Sequence, residues 1–140
     1  MGLTWEKYLS VGNAMIDSDH KNLIIMINNI EYAIRRRDPA ELSKTIGKFA
    51  TYMHIHLRNE EQIAKAVNFP LVQNGLEHQQ LMYEIRGMLE NMCPENGVWP
   101  DNLVGKYSRF LNDWMMDHII KKDMQMKPLL RNHPYDFKPD

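Results

Sequence analysis

The chain of 140 residues has a single cysteine, Cys93, so no intrachain disulfide can form and a reducing compartment is the expected setting. Charge of one sign is also missing. Seventeen Lys and Arg stand against 18 Asp and Glu, a net charge of −1. That balance argues against a dedicated nucleic-acid surface, and the one compact basic run is Arg35-Arg36-Arg37. No apolar run is long enough to span a bilayer. The opening "MGLTWEKYLSVG" lacks a basic segment followed by an apolar one, so it does not read as a secretory signal. Strand alternation, internal repeats, and nucleotide, flavin or haem motifs are all missing. A single cytoplasmic domain with neither nucleic acid nor membrane as partner is expected.

What is present is helical periodicity. After "MIDSDH", with Asp17 as the expected N-cap, apolar residues recur at Leu23, Ile24, Ile27, Ile30 and Ile34. This helix should stop near "RRRDP", where Asp38-Pro39 reads as the cap and first turn of the next. A second stripe, Leu42, Ile46, Phe49, Met53, His56, Glu60, Ile63 and Val67, runs over about 40–67 and ends at "NFP". A third, Leu71, Asn74, His78, Leu81, Ile85, Met88 and Met92, covers about 71–92. "CPENGVWPDN" is a linker. A fourth stripe from about Asp101 to Lys122 carries Val104, Tyr107, Leu111, Trp114 and His118, and a short tail helix is expected at 124–130. "NHPYDFKPD" reads as an exposed end. The predicted fold is all-α, an antiparallel up-down four-helix bundle. It divides into an N-terminal arm (1–16, with Trp5, Tyr8 and Val11 packed alongside), the bundle (17–123) and a C-terminal tail (124–140). The 11 methionines read as flexible core filler.

Every stripe carries residues foreign to a hydrocarbon core. They are His20 on the first, His56 and Glu60 on the second, Asn74 and His78 on the third, and His118, with Asp123 five residues on, from the fourth. Such groups are rarely buried unless paired or metal-bound. Four imidazoles and two carboxylates suit first-row metals, iron most naturally if the carboxylates bridge two ions. The other reading is a buried polar network. His54 has Arg58 one turn on and lies about 200° round the helix from His56, so a surface position is expected for it, as for His133. Glu61 should face solvent, and Cys93 has no catalytic context.

The stretches "LTWEKYLSVGNAMID", "IDSDHKNL", "YMHIHLRNEE", "NGLEHQQL" and "WMMDHIIKKD" closely resemble hemerythrins, bacterial ones in particular, from Leu3 to Asp123. The resemblance implies two iron ions in an oxo- or hydroxo-bridged non-haem di-iron centre that binds O2. By motif, His20 and His56 would hold the iron that takes O2, His78 and His118 the second, with Glu60 and Asp123 bridging. The family's third histidine on the second iron is here Asn74, which would leave an open or water-filled position. Leu23, Asn74, Trp114 and Ile119 are the expected pocket residues, although core filling alone accounts for Leu23, Trp114 and Ile119. The expected role is oxygen or redox sensing or oxygen delivery, without catalysis. The expected exogenous ligands are O2 or small anions, and an output domain or redox partner would lie outside this chain. The alternatives are a di-iron enzyme of the peroxide- or NO-reductase or oxidase type, a bundle for iron handling or another metal, or a site kept for structure alone. The absence of any E-x-x-H pair counts against the ferritin-like class.

Overall fold

A computed structural model describes the backbone of residues 2–70, 74–92, 101–118 and 122–139, and their side chains except those of Asn74, Gly75 and Met92. Four long helices, α1 (Ala14–Arg35), α2 (Pro39–Ala66), α3 (Asn74–Met92) and α4 (Asp101–Asp117), precede a short α5 (Lys127–Leu130). 3-10 turns lie at Lys7–Leu9 and Asp123–Met126, and no strand occurs among the described residues. Each long helix packs on its neighbour in the chain, and α1 packs on α4, which closes the antiparallel up-down bundle. No helix among the described residues is long and apolar enough to cross a membrane.

The helix ends follow from local chemistry. Asp38 caps α2 by accepting from the Glu41 amide at 3.0 Å, with Pro39 in the first turn, as its sequence predicts. α1 stops where Arg37 takes a left-handed φ of 51°, letting Asp38 N–H reach back to Ala33 O at 3.2 Å. Asn68 ends α2 in the same way, with φ 60°.

Two expectations need correction. The cap of α1 is Asn13, whose Oδ1 accepts from the amides of Met15 and Ile16 at 3.1 Å each, and Asp17 lies inside the helix. Asp17 is fully buried and accepts from Ser10 Oγ (2.5 Å), the Val11 amide (2.9 Å) and Tyr135 Oη (2.9 Å). The C-terminal stretch is largely exposed, as its sequence suggests, and is nonetheless tied to the start of α1. Tyr135 O accepts from the Ala14 amide at 2.8 Å and Phe137 O from Asn13 Nδ2 at 2.9 Å. In the arm, Leu9 and Val11 are buried while Tyr8 is 67 % exposed, so Tyr8 does not help seat it.

The apolar interior falls into two parts. The larger runs through Leu23, Ile27, Phe49, Met53, Leu81, Leu111 and Met115. The smaller joins Val11, Ile16, Ile63, Val67, Met126 and Leu130. Along α1 the chain passes from Ile16 through His20 to Leu23. Along α2 it passes from Met53 through His56 and Glu60 to Ile63. Beyond Met115 it passes through His118 and Asp123 to Met126. A polar layer thus lies between two dry ones, which keeps water from it on both sides.

Candidate metal centre

His20, His56, Glu60, His118 and Asp123 meet in that layer, all buried, with one donor atom from each within 4.8 Å of the others. The α2 pair follows from helix geometry. Residues four apart lie one turn on, about 6 Å along the axis, so His56 Nε2 sits 2.6 Å from Glu60 Oε1. His118 Nε2 lies 2.9 Å from Glu60 Oε1 and 3.0 Å from Asp123 Oδ2. His20 Nε2 lies 2.6 Å from Asp123 Oδ2 and 3.6 Å from Glu60 Oε1. His118 and Asp123 are five residues apart, which on an α-helix would turn them about 140° from each other. Both side chains nonetheless reach the cluster.

With no cation among them, the side chains of the cluster would hold protons. Burial alone would lower His56, but the Glu60 charge and hydrogen bonds to Asp123, Asp19 and Glu60 outweigh it and hold the imidazole well above its ordinary value. His118 is likewise pulled down by burial and then pushed up to about 10 by Asp123 and Glu60. Burial works to raise Glu60, yet the charges of His118 and His56 keep it well below the usual carboxylate range. Imidazolium and carboxylate neutralise one another where a cation would otherwise do so.

The donor set fits a first-row metal. Ligand atoms about 2.0–2.2 Å from an ion lie within roughly 4.4 Å of each other, close to the spread seen here. Among the described residues, Glu60 Oε2 and Asp123 Oδ1 are buried with no hydrogen-bond partner, as are His20 Nδ1 and His118 Nδ1. Buried polar atoms left unpaired are costly, and a metal would satisfy the carboxylate oxygens.

The remaining expected residues are placed differently. His78 is half-buried on α3 and is absent from the five-residue cluster. Its ring lies 5.8 Å from that of His54, which is exposed. Burial, and then the charge of His54, lowers its pKa. Asn74 is the first residue of α3 by its backbone, and its side chain lies outside the described residues, as does Ile119 altogether. Leu23 is fully buried in the larger core. Trp114 stacks on His118, with centroids 5.0 Å apart and planes 7° from parallel. A cavity of about 280 Å³ reaches His118 and Trp114 between α3 and α4, and a Glu77–Lys122 ion pair lies in its wall. Asp19 has no counterpart in the sequence reading. Buried beside His20, it accepts from His56 Nδ1 at 2.9 Å. An acidic residue flanking an inward histidine was the available hint.

A helix bundle with a buried histidine–carboxylate cluster able to hold metal defines the class. Within it the chain belongs to the hemerythrin family, because residues 11–130 match the hemerythrin HHE cation binding domain. It is 24% identical over 132 residues to a bacteriohemerythrin from Methylococcus capsulatus, covering 91% of this chain and 96% of that protein. It is 25% identical over 128 residues to a hemerythrin-like protein from Naegleria gruberi, covering 90% and 92%. A crystal structure of a hemerythrin variant superposes with a TM-score of 0.72 at 19% identity, over 93% of this chain and 98% of that one, a likeness of fold.

Proposed function

We propose that the chain is a non-haem di-iron O2-binding protein acting in oxygen or redox sensing or in oxygen delivery. The observation that carries this reading is the division of labour in the two carboxylates. Each turns one oxygen toward the imidazoles and keeps the other buried, without a partner among the described residues. That arrangement suits carboxylates shared between two ions. Bound iron would supply the redox-active centre for O2 or a small anion. Around it, His20 and His56 would serve one ion and His118 the other, joined by His78 once its ring turns from His54 to the interior. Trp114 shields one face of His118, and the two apolar layers exclude water. Asn74, in place of a histidine, would leave a position open to water or anions, which favours sensing over storage.

Anaerobic loading with ferrous iron, metal analysis and optical spectra under O2 test this reading. Two irons per chain and a visible band that reverses under vacuum are expected. One iron or none would remove the di-iron reading. A stable oxidised spectrum that does not reverse would overturn O2 carriage and favour a redox sensor or the enzymatic alternative.

A further inference from the structure

The two nitrogens of His56 have different surroundings. Nε2 faces the cluster, 2.6 Å from Glu60 Oε1 and 3.2 Å from His118 Nε2. Nδ1 points away from it, 2.9 Å from Asp19 Oδ2. Asp19 is 6% exposed and takes two more hydrogen bonds, from Asn59 Nδ2 to Oδ2 (3.1 Å) and from Tyr52 Oη to Oδ1 (3.0 Å). Tyr52 Oη in turn accepts from Asn22 Nδ2 at 2.9 Å. The contacts run unbroken from exposed Asn22, through half-buried Tyr52 and buried Asp19, to a fully buried cluster imidazole. Among the described residues the other two cluster imidazoles have nothing equivalent, since the Nδ1 atoms of His20 and His118 have no partner there.

We propose that Asp19 is a positioning residue for the metal centre, holding His56 as the Nδ1–H tautomer with its Nε2 lone pair aimed at the ion, and that Tyr52 sets how much charge Asp19 lends to it. The proposal rests on the metal-centre reading above. The physical basis is direct. A carboxylate accepting from the far nitrogen of a ligating imidazole fixes the ring and raises its basicity. A more basic ligand favours the higher oxidation state. Tyr52 and Asn59 draw on the same carboxylate, so each donor weakens the push on His56. Removing Asp19's charge and removing Tyr52's hydroxyl should therefore move the potential of the centre in opposite directions, which loss of packing would not do.

The test compares wild type, Asp19→Asn and Tyr52→Phe. Thermal melts monitor folding, chelator competition with Fe(II) and Zn(II) gives affinity, and redox titration of the iron-loaded protein gives potential. Long-range 1H–15N spectra of the zinc-loaded protein report the His56 tautomer. Asp19→Asn is nearly isosteric and should weaken metal binding about 10- to 100-fold and raise the potential. Tyr52→Phe should bind metal no more weakly than wild type and lower the potential. A His56 lacking the Nδ1 proton in wild type would overturn the proposal. So would wild-type affinity and potential in Asp19→Asn, or shifts of the same sign in both variants. If wild type binds neither metal, the metal-centre reading falls and takes this proposal with it. If wild type binds and the variants do not differ, only this proposal falls.

Discussion

Glu60 faces three imidazoles through one oxygen, at 2.6 Å from His56, 2.9 Å from His118 and 3.6 Å from His20. Glu60→Ala would strand two protonated histidines in a dry layer. Breaking a buried ion pair from one side costs about 3–5 kcal/mol, so urea unfolding of the metal-free variant should show a loss of that order, and metal analysis should find the centre emptied. A variant as stable as wild type that still holds metal would mean Glu60 is peripheral. At Asn74 the expected effect is kinetic. Asn74→His supplies the imidazole that the motif lacks and should slow autoxidation of the oxygenated protein, followed optically in air. An unchanged rate would remove Asn74 from the account. Much of the constellation was legible, because helical spacing puts His20, His56, Glu60 and His118 on inward stripes, and the structure gathers those four with Asp123. His78 was less so. Periodicity shows which residues share a stripe but not where the stripe's edge falls, and the ring of His78 meets that of His54 instead. Asp19 was harder to read for a related reason. Its partner His56 is 37 residues away on another helix, and no local pattern joins them.

Helices with broad apolar stripes were readable almost residue by residue, and the difficulties came at their ends. All of Leu42, Ile46, Phe49, Met53, His56, Glu60, Ile63 and Val67 are buried, as the three-and-four spacing of α2 requires. The start of α1 is harder because two candidates compete. Asp17 has the chemistry of a cap but is claimed by Ser10, Val11 and Tyr135, the last 118 residues away. Asn13 follows Gly12, whose φ of +85° suits glycine and brings the arm into the cap. Asn13 has two tasks, capping α1 through Oδ1 and holding Phe137 O through Nδ2. Asn13→Ala should therefore cost about 1–2 kcal/mol in chemical unfolding. It should also speed amide exchange or proteolysis around 133–139. Loss of stability with an unchanged tail would show that the Phe137 contact does not anchor it.

Across the whole molecule the cluster ties folding to protons and protons to metal. Without metal, His56 and His118 have folded-state values above the ordinary 6.5, His118 at about 10. Their contribution to stability is fully present below pH 6.5 and is lost as pH rises toward 10. Glu60 lies below its ordinary 4.5, so its contribution is present above that pH and is lost as pH falls beneath it. The metal-free fold should therefore be most stable between 4.5 and 6.5, with a melting temperature that declines steadily from pH 6 to pH 9. Metal requires neutral imidazoles, so loading near pH 7 must expel the protons on His56 and His118. In a weakly buffered titration that should appear as about two protons released from these rings per chain, and the loaded protein should lose most of the alkaline decline. The two effects share one cause and stand or fall together. A flat melting profile for the metal-free chain, or loading without proton release, would mean that the cluster is not held by imidazolium–carboxylate pairs. The case for a centre in which metal replaces protons would then lose its electrostatic basis.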